Sequence, residues 1–217
     1  MAGLFDKDLR ILLQRKQAIL LFLAIAVVLG FSTGGTFVVG YTAICFLMLS
    51  VGTISYDEFD NGYSFLMTLP ITRRTYILEK YLLSGVCGIV AWIVSVVICI
   101  CESFFQKAAF VTEDFLVEAA AILPVVFLIM CMMIPVQIKY GAEKSRVVLV
   151  AVMGIAVVGG IGIKKAVELL NLPLDAVLEK MYTITDVQIL VGLVVLTIAA
   201  MLLSFAISVR IMYHKEF

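Results

Sequence analysis

Residues 17–56 read QAILLFLAIAVVLGFSTGGTFVVGYTAICFLMLSVGTISY, a stretch without a single charged side chain. A helix that crosses a bilayer needs about 20 mostly apolar residues to cover roughly 30 Å of hydrocarbon, so this stretch is too long for one crossing. The turn-forming residues 30–35, GFSTGG, lie near its middle. The stretch therefore predicts a hairpin of two transmembrane helices joined by a very short loop.

The rest of the chain has the same apolar character. Of the 217 residues, 63% are apolar and 15% charged, whereas soluble domains carry about 45–50% apolar and about 25% charged residues. Four further uncharged runs, beginning near Tyr81, Ala119, Val147 and Val187, bring the total to six predicted spans. Their approximate bounds are 17–31, 36–55, 78–101, 118–138, 147–163 and 187–210. The predicted fold is a single all-α transmembrane domain over residues 1–217.

The distribution of Lys and Arg predicts the orientation in the membrane. Twelve of the sixteen lie in the termini and loops of one side, and four lie on the other. Because cytoplasmic loops carry such an excess, both termini are predicted to be cytoplasmic. Aromatic rings favour the headgroup region. Four tyrosines are accordingly expected there, near cytoplasmic span ends: Tyr56, Tyr81, Tyr140 and Tyr213.

The sequence contains no recognisable catalytic, nucleotide-binding or proton-relay motif. Lys and Arg (16) balance Asp and Glu (16), so no nucleic-acid partner is predicted. The single histidine, His214, lies in the charged tail, and the P-loop pattern for ATP does not occur. The uncharged runs hold no Asp, Glu or His that could relay protons at membrane depth. We therefore predict a non-enzyme that binds no cofactor itself and takes energy for transport from outside its spans.

The first residues form an amphipathic pattern. Apolar Leu4, Phe5, Leu9, Leu12 and Leu13 stand against polar Asp6, Lys7, Asp8, Arg10 and Gln14. This spacing predicts a helix that lies along the inner leaflet as an elbow before the first span. Anchoring to the membrane explains the pattern, and contact with a partner protein is the alternative.

A second amphipathic helix is predicted over residues 56–69. One face carries Asp57, Asp60, Asn61, Ser64 and Thr68, and the other carries Phe59, Tyr63, Leu66 and Met67. Pro70 cannot continue this helix, and Thr72 is the predicted N-cap of the next one. The chain is therefore predicted to form a helix, a bend and then the third span.

This loop resembles that of the membrane subunits of the ABC-2 type exporter superfamily. There an acidic residue and a glycine precede the pattern Leu-Pro-Ile-Thr/Ser-Arg. Here these are Glu58, Gly62 and residues 69–73, LPITR, followed by Tyr76 and Lys80. Six spans, cytoplasmic termini and short outer loops extend the resemblance, less specifically, over the whole chain.

In that family the loop forms a coupling helix that binds a separate ATP-hydrolysing subunit. The resemblance implies this role for Asp57, Glu58, Phe59, Gly62, Tyr63, Leu66, Pro70, Arg73 and Arg74. The alternative is a helix that only lies on the membrane surface. The resemblance also implies two copies of the ATPase subunit, which bind ATP and Mg, and a second permease subunit, identical or different.

The implied function is that of a permease in a bacterial cytoplasmic membrane that exports its substrate by alternating access. The chain is similar to exporters of amphipathic peptides such as phenol-soluble modulins and lantibiotics, and an apolar interior would suit such cargo or a lipid-like molecule. The alternative is a substrate-binding membrane module like the vitamin-capturing subunits of energy-coupling transporters. Residues 164–186 predict a broken helix on the outer surface, either a lid or a plain connector.

Overall fold

The computed structural model describes residues 2–33, 35–58, 62–68, 71–106, 113–169 and 186–215. This part of the chain is almost entirely helical and contains no strand. In chain order its helices are α1 (Ala2–Gln14), α2 (Lys16–Thr33), α3 (Gly35–Val51), α4 (Thr53–Glu58), α5 (Gly62–Thr68), α6 (Arg73–Gln106), α7 (Glu113–Leu169) and α8 (Asp186–His214).

Several helices are long and apolar enough to cross a bilayer, which confirms the predicted helical membrane protein. In the described ranges they are Gly35–Glu58, Arg73–Phe105, Phe115–Gly141 and Val187–His214. Helices α1 and α2 meet at an angle of 65° and give a fifth crossing if they are counted as one bent span. The predicted span 147–163 lies on the second part of α7, where the side chains of residues 152–163 are outside the described set. A sixth crossing stays a prediction.

The buried apolar side chains form two clusters. One includes Leu47, Ile54, Ile77, Met130 and Ile134. The other includes Ala26, Val38, Cys99, Phe115 and Ala119. Helix α3 contributes to both and packs against α2, α6 and α7. Helix α8 packs mainly on α7 and leaves most of its apolar surface exposed. In a bilayer such exposed apolar surface is compatible with lipid contact, because hydrocarbon chains are as apolar as leucine.

Helix α6 is one element of 34 residues. Its start is as predicted, because Thr72 Oγ1 accepts a hydrogen bond from Thr75 N at 3.2 Å, which confirms the N-cap. A helix of this length spans about 50 Å, whereas the hydrocarbon layer is roughly 30 Å thick. Glu79, Lys80 and Glu102 lie near its two ends and are buried. These residues flank the uncharged run that begins at Tyr81, so the buried charges of α6 lie near its ends and not along that run.

Helix α7 turns sharply at Gly141. This residue has φ 72° and ψ −176°, in the left-handed region that glycine enters without steric cost. A Cβ atom there would lie 2.4 Å from the carboxylate oxygens of Glu58. Ser145 Oγ donates to Gln137 Oε1 at 3.1 Å, although eight residues of straight helix rise about 12 Å. The break coincides with the predicted boundary between the fourth and fifth spans.

A cluster of hydroxyl groups joins α6, α7 and α8. Pro135 lacks an N–H, so the Cys131 carbonyl loses its helical partner, and Ser204 Oγ donates to it instead. Tyr81 OH lies 2.6 Å from Ser204 Oγ and 3.0 Å from Ser208 Oγ. Tyr81 is therefore buried, and its predicted place at the headgroups is wrong. The other three tyrosines of that set are exposed: Tyr56, Tyr140 and Tyr213.

Tyr81→Phe removes the hydroxyl at the centre of this cluster and keeps the ring. We expect it to lower the free energy of unfolding by about 0.5–2 kcal/mol, the range of interhelical hydrogen bonds in membranes. The unfolding midpoint in mixed detergent and SDS measures the change. Tyr140→Phe, which alters an exposed tyrosine, is the control. An equal loss in both variants would contradict a stabilising role for the cluster.

Candidate functional site

Five ionisable side chains meet at the predicted cytoplasmic end of the bundle. We term them the ion network: Lys7 and Asp8 of α1, Asp57 of α4, and Glu79 and Lys80 of α6. Asp8 is 0%, Asp57 5%, Glu79 2% and Lys80 1% exposed. Burying a charge costs several kcal/mol unless other groups pair with it. The contacts inside the network therefore decide whether this end of the protein is stable.

Lys80 lies at the centre of the ion network. Its Nζ forms ion pairs with Asp8 and, at 2.7 Å, with Asp57 Oδ2. Lys7 Nζ pairs with the other oxygen of Asp57 and lies 3.1 Å from Asp8 Oδ1. Burial alone would lower the pKa of Lys7, but the Asp57 and Asp8 carboxylates outweigh it and raise that pKa. Each ammonium group thus bridges both aspartates: Lys7 joins α1 to α4, and Lys80 joins α6 to both.

Two buried tyrosines connect α5 to the ion network. Tyr76 OH donates to Asp57 Oδ2 at 2.9 Å, and the Tyr76 ring lies 5.2 Å from Lys80 Nζ. The Tyr63 ring packs edge-on against Tyr76, with centroids 5.9 Å apart and planes at 79°. Burial, with the nearby carboxylates of Asp57 and Glu58, raises the pKa of the Tyr63 phenol, which therefore stays neutral. Movement of α5 would consequently displace partners of Asp57.

Glu79 differs from the two aspartates of the ion network because its contact with an ammonium group is long. Its Oε2 lies 3.9 Å from Lys80 Nζ, and neither of its oxygens has a hydrogen-bond partner within the described ranges. Three carboxylates face two ammonium groups, so the network would carry a net charge of −1 with every group ionised. The two ammonium groups pair with Asp8 and Asp57, so Glu79 is the carboxylate with the longest charge contact in the network.

Further contacts tie the end of α8 to the same region. Arg73 Nη1 donates to three carbonyl oxygens: Met212 at 2.6 Å, Tyr213 at 2.8 Å and Lys215 at 3.4 Å. These carbonyls have no partner within the last turn of a helix, and a cation favours the negative end of the helix dipole. Lys215 Nζ in turn lies 3.4 Å from Glu58 Oε1 and donates to the Ile138 carbonyl at 3.0 Å.

The contacts of Arg73 with the carbonyl oxygens at the end of α8 form a C-terminal cap of that helix. The neighbouring Arg74 is exposed, so the two arginines make a matched pair for testing this cap. We expect Arg73→Gln to lower the free energy of unfolding by about 1–3 kcal/mol, since hydrogen bonds from a charged donor are lost. Arg74→Gln should leave it unchanged. Thermal unfolding of both variants in the same detergent measures the difference, and equal midpoints would argue against the cap.

The nine predicted coupling residues differ in burial. Asp57, Tyr63 and Leu66 are buried against other helices of the same chain. Glu58, Gly62 and Arg73 are partly buried, and Arg74 is exposed. Phe59 and Pro70 lie outside the described residues, as do residues 60, 61 and 69. The predicted helix 56–69 is thus described in two pieces, the end of α4 and α5.

The sequence pattern misplaces two acidic side chains. It puts Asp57 on the polar face of its helix, but Lys7 and Lys80 pair with it in the interior. It likewise puts Asp8 on the polar face of α1, yet Asp8 is 0% exposed, whereas Leu9 and Leu13 are 39% and 54% exposed. The buried stripe of α1 is Leu4, Asp8 and Leu12, at a spacing of four. A charge inside such a stripe is the signal that could have indicated a buried partner.

A family model described as ABC-2 family transporter protein matches residues 3–213, nearly the whole chain. The matched range includes the entire ion network. No curated protein and no solved structure gives a significant match. Nothing in these comparisons favours the vitamin-capturing alternative.

Proposed function

Because the chain belongs to the ABC-2 transporter family, we propose that this multi-pass membrane protein is the permease subunit of an ATP-driven exporter of amphipathic peptides. The match over residues 3–213 carries the proposal. That family implies an ABC ATPase subunit as partner. The peptide cargo, the outward direction by alternating access and the bacterial cytoplasmic membrane are our inference. So are two ATPase copies with their ATP and Mg, and a second permease subunit.

We place the contact with the ATPase on the exposed face of α5 and the start of α6. Phe65 is 69% exposed, and Thr68 and Arg74 are exposed beside it in sequence. Aromatic and arginine side chains are enriched among the residues that dominate protein interfaces. Tyr63 and Tyr76 hold α5 against the ion network. The proposed role of the buried coupling residues is therefore to position this face and to pass its movement to α1 and α6.

The apolar interior supports an amphipathic cargo. Several hydroxyl groups of the described spans bond to carbonyls of their own helix: Thr42 to Val38, Ser95 to Trp92 and Thr197 to Leu193, each at 2.8 Å. Such groups are already satisfied, and a polar solute that enters an apolar interior loses hydrogen bonds to water. The spans therefore suit the apolar side of a peptide better than a sugar or an ion.

The docking face is tested by Phe65→Ala combined with Arg74→Glu. Loss of an interface anchor costs about 2 kcal/mol or more, so we expect at least tenfold less ATPase to be recovered with the full chain. Affinity purification from the native host in mild detergent, followed by quantitative mass spectrometry, measures this. Phe105→Ala is the control, because Phe105 is 84% exposed at the opposite end of α6. Unchanged recovery with the double variant would contradict the proposed face.

The cargo requires a separate experiment on the reconstituted complex. We expect an amphipathic helical peptide to stimulate ATP hydrolysis and to accumulate, in an ATP-dependent manner, in inside-out vesicles. A sugar or an inorganic ion of similar concentration should do neither. If the complex with its ATPase neither hydrolysed ATP faster with amphipathic peptides nor accumulated them, the proposed cargo would be wrong. The assignment as a permease would be unaffected.

A further inference from the structure

A cleft of about 640 Å³ lies between α7 and α8 at the predicted cytoplasmic end. Its lining side chains, which we term the basic cleft, are Lys139, Ile207, Arg210, Ile211, His214 and Lys215. Three of them carry a permanent positive charge, and His214 adds a fourth basic group. None of the described lining residues is acidic. The charge of the cleft therefore favours an anion.

The side chains that line the cleft change from apolar to cationic along α8. Ile207, Arg210, Ile211 and His214 follow one another at spacings of three, one and three, so they share one face of the helix. Ile207 lies about 10 Å farther from the end of α8 than His214, in the direction of the bilayer. Lys139 faces this row from α7. A ligand that fits this arrangement carries a negative group at one end and apolar chains at the other.

The basic side chains of the cleft differ in whether they form ion pairs. Lys215 pairs with Glu58 at 3.4 Å. Neither Lys139 nor Arg210 forms an ion pair with any residue of the described ranges. Both side chains are exposed at the predicted level of the headgroups. Basic pockets between membrane helices on the cytoplasmic side are typical sites for acidic lipid headgroups.

We propose that the basic cleft binds an anionic phospholipid of the inner leaflet. Its phosphate lies between Lys139 and Arg210, and its acyl chains lie against Ile207 and Ile211. A soluble phosphate would leave the isoleucine wall unused, whereas the volume of the cleft is in the range of sites for molecules larger than one ion. The site is independent of the proposed cargo and of the ATPase contact, which involves α5.

The test uses the purified full chain in detergent, with dioleoyl phosphatidylglycerol added against dioleoyl phosphatidylcholine. We expect phosphatidylglycerol alone to raise the thermal unfolding midpoint and to remain bound in native mass spectrometry. Lys139→Gln with Arg210→Gln should weaken its apparent affinity roughly 25-fold, at about fivefold for each basic side chain. The matched control is Arg10→Gln with Lys16→Gln, which removes two exposed positive charges outside the cleft. The control should bind phosphatidylglycerol like the native chain.

Three results would overturn the proposal. The first is equal affinity of the cleft variant and the native chain for phosphatidylglycerol. The second is an equal loss of affinity in the control variant, because the effect would then reflect net charge and not the cleft. The third is equal stabilisation by glycerol 3-phosphate, which would assign the cleft to a soluble phosphate. Because both cleft substitutions are at exposed positions, circular dichroism and gel filtration should report a folded protein in every case.

Discussion

Lys80→Met is expected to lower the free energy of unfolding by about 3–5 kcal/mol, the cost of removing one partner from a buried ion pair. Methionine preserves most of the side-chain volume, so the loss comes from charge. Asp8 would keep Lys7, which is one-third exposed, as its ion-pair partner and a long hydrogen bond from Thr53 Oγ1 at 3.4 Å. Asp57 would lose its contact at 2.7 Å. Unfolding by SDS titration in a mild detergent measures the change. Since the ion network joins three helices, the variant should also unfold less cooperatively.

A double-mutant cycle separates this charge effect from a packing effect. Adding Asp8→Asn to Lys80→Met removes one of the stranded carboxylates, so the double variant should be more stable than the sum of the two single losses predicts. Lys16→Met, at an exposed position, is the control and should change little. Strict additivity in the cycle, or an equal loss in the control, would refute the network as the source of stability.

Gly141→Ala is expected to cost about 2–3 kcal/mol in the same measurement. An alanine at φ 72° has a strained backbone, and its Cβ would meet the Glu58 carboxylate at 2.4 Å. The carboxylate would have to shift and would disturb its ion pair with Lys215. The substitution therefore acts on both the turn of α7 and the contact between α4 and the end of α8.

Gly192→Ala provides the matched control, because in the described part of the chain a Cβ there would meet no atom within 4 Å beyond the backbone of its own helix. Alanine is the better helix former, so this variant should gain about 0.5–1 kcal/mol. Glu58→Ala combined with Gly141→Ala removes the clash and leaves only the backbone strain. If alanine stabilised the protein at position 141 as it does at 192, the left-handed turn would not be required.

Four of the six spans could be predicted from sequence because transfer into hydrocarbon depends on local composition. The fourth span is predicted at 118–138 and observed at Phe115–Gly141. The cap at Thr72 is equally local, since donor and acceptor are three residues apart. The turn at Gly141 has a weaker signal, a single glycine between a tyrosine and an alanine, and only the φ angle and the nearby Glu58 reveal its role.

The ion network could not be predicted in the same way. Lys80 and Asp8 are 72 residues apart in the chain, and a pattern within one helix carries no information about a partner on another. An amphipathic reading assigns every charge to the solvent side, which holds for Asp6 and fails for Asp8. The loop around residues 57–74 stays the predicted coupling region, and it contributes Asp57 to the network. The direction in which Asp57 points depends on how α1 packs.

The separation of 72 residues between Asp8 and Lys80 also determines the order in which the members of the ion network are synthesised. The ribosome adds roughly 5–20 residues per second, so Lys80 is made about 4–15 s after Asp8. During that interval the rest of α1 and the first hairpin are synthesised, while the central cation of the network does not yet exist. The amino-terminal helix can take its final position only when the start of α6 has emerged. A ribosome that pauses just before codon 80 should therefore hold a nascent chain in which Asp8 is still accessible to water.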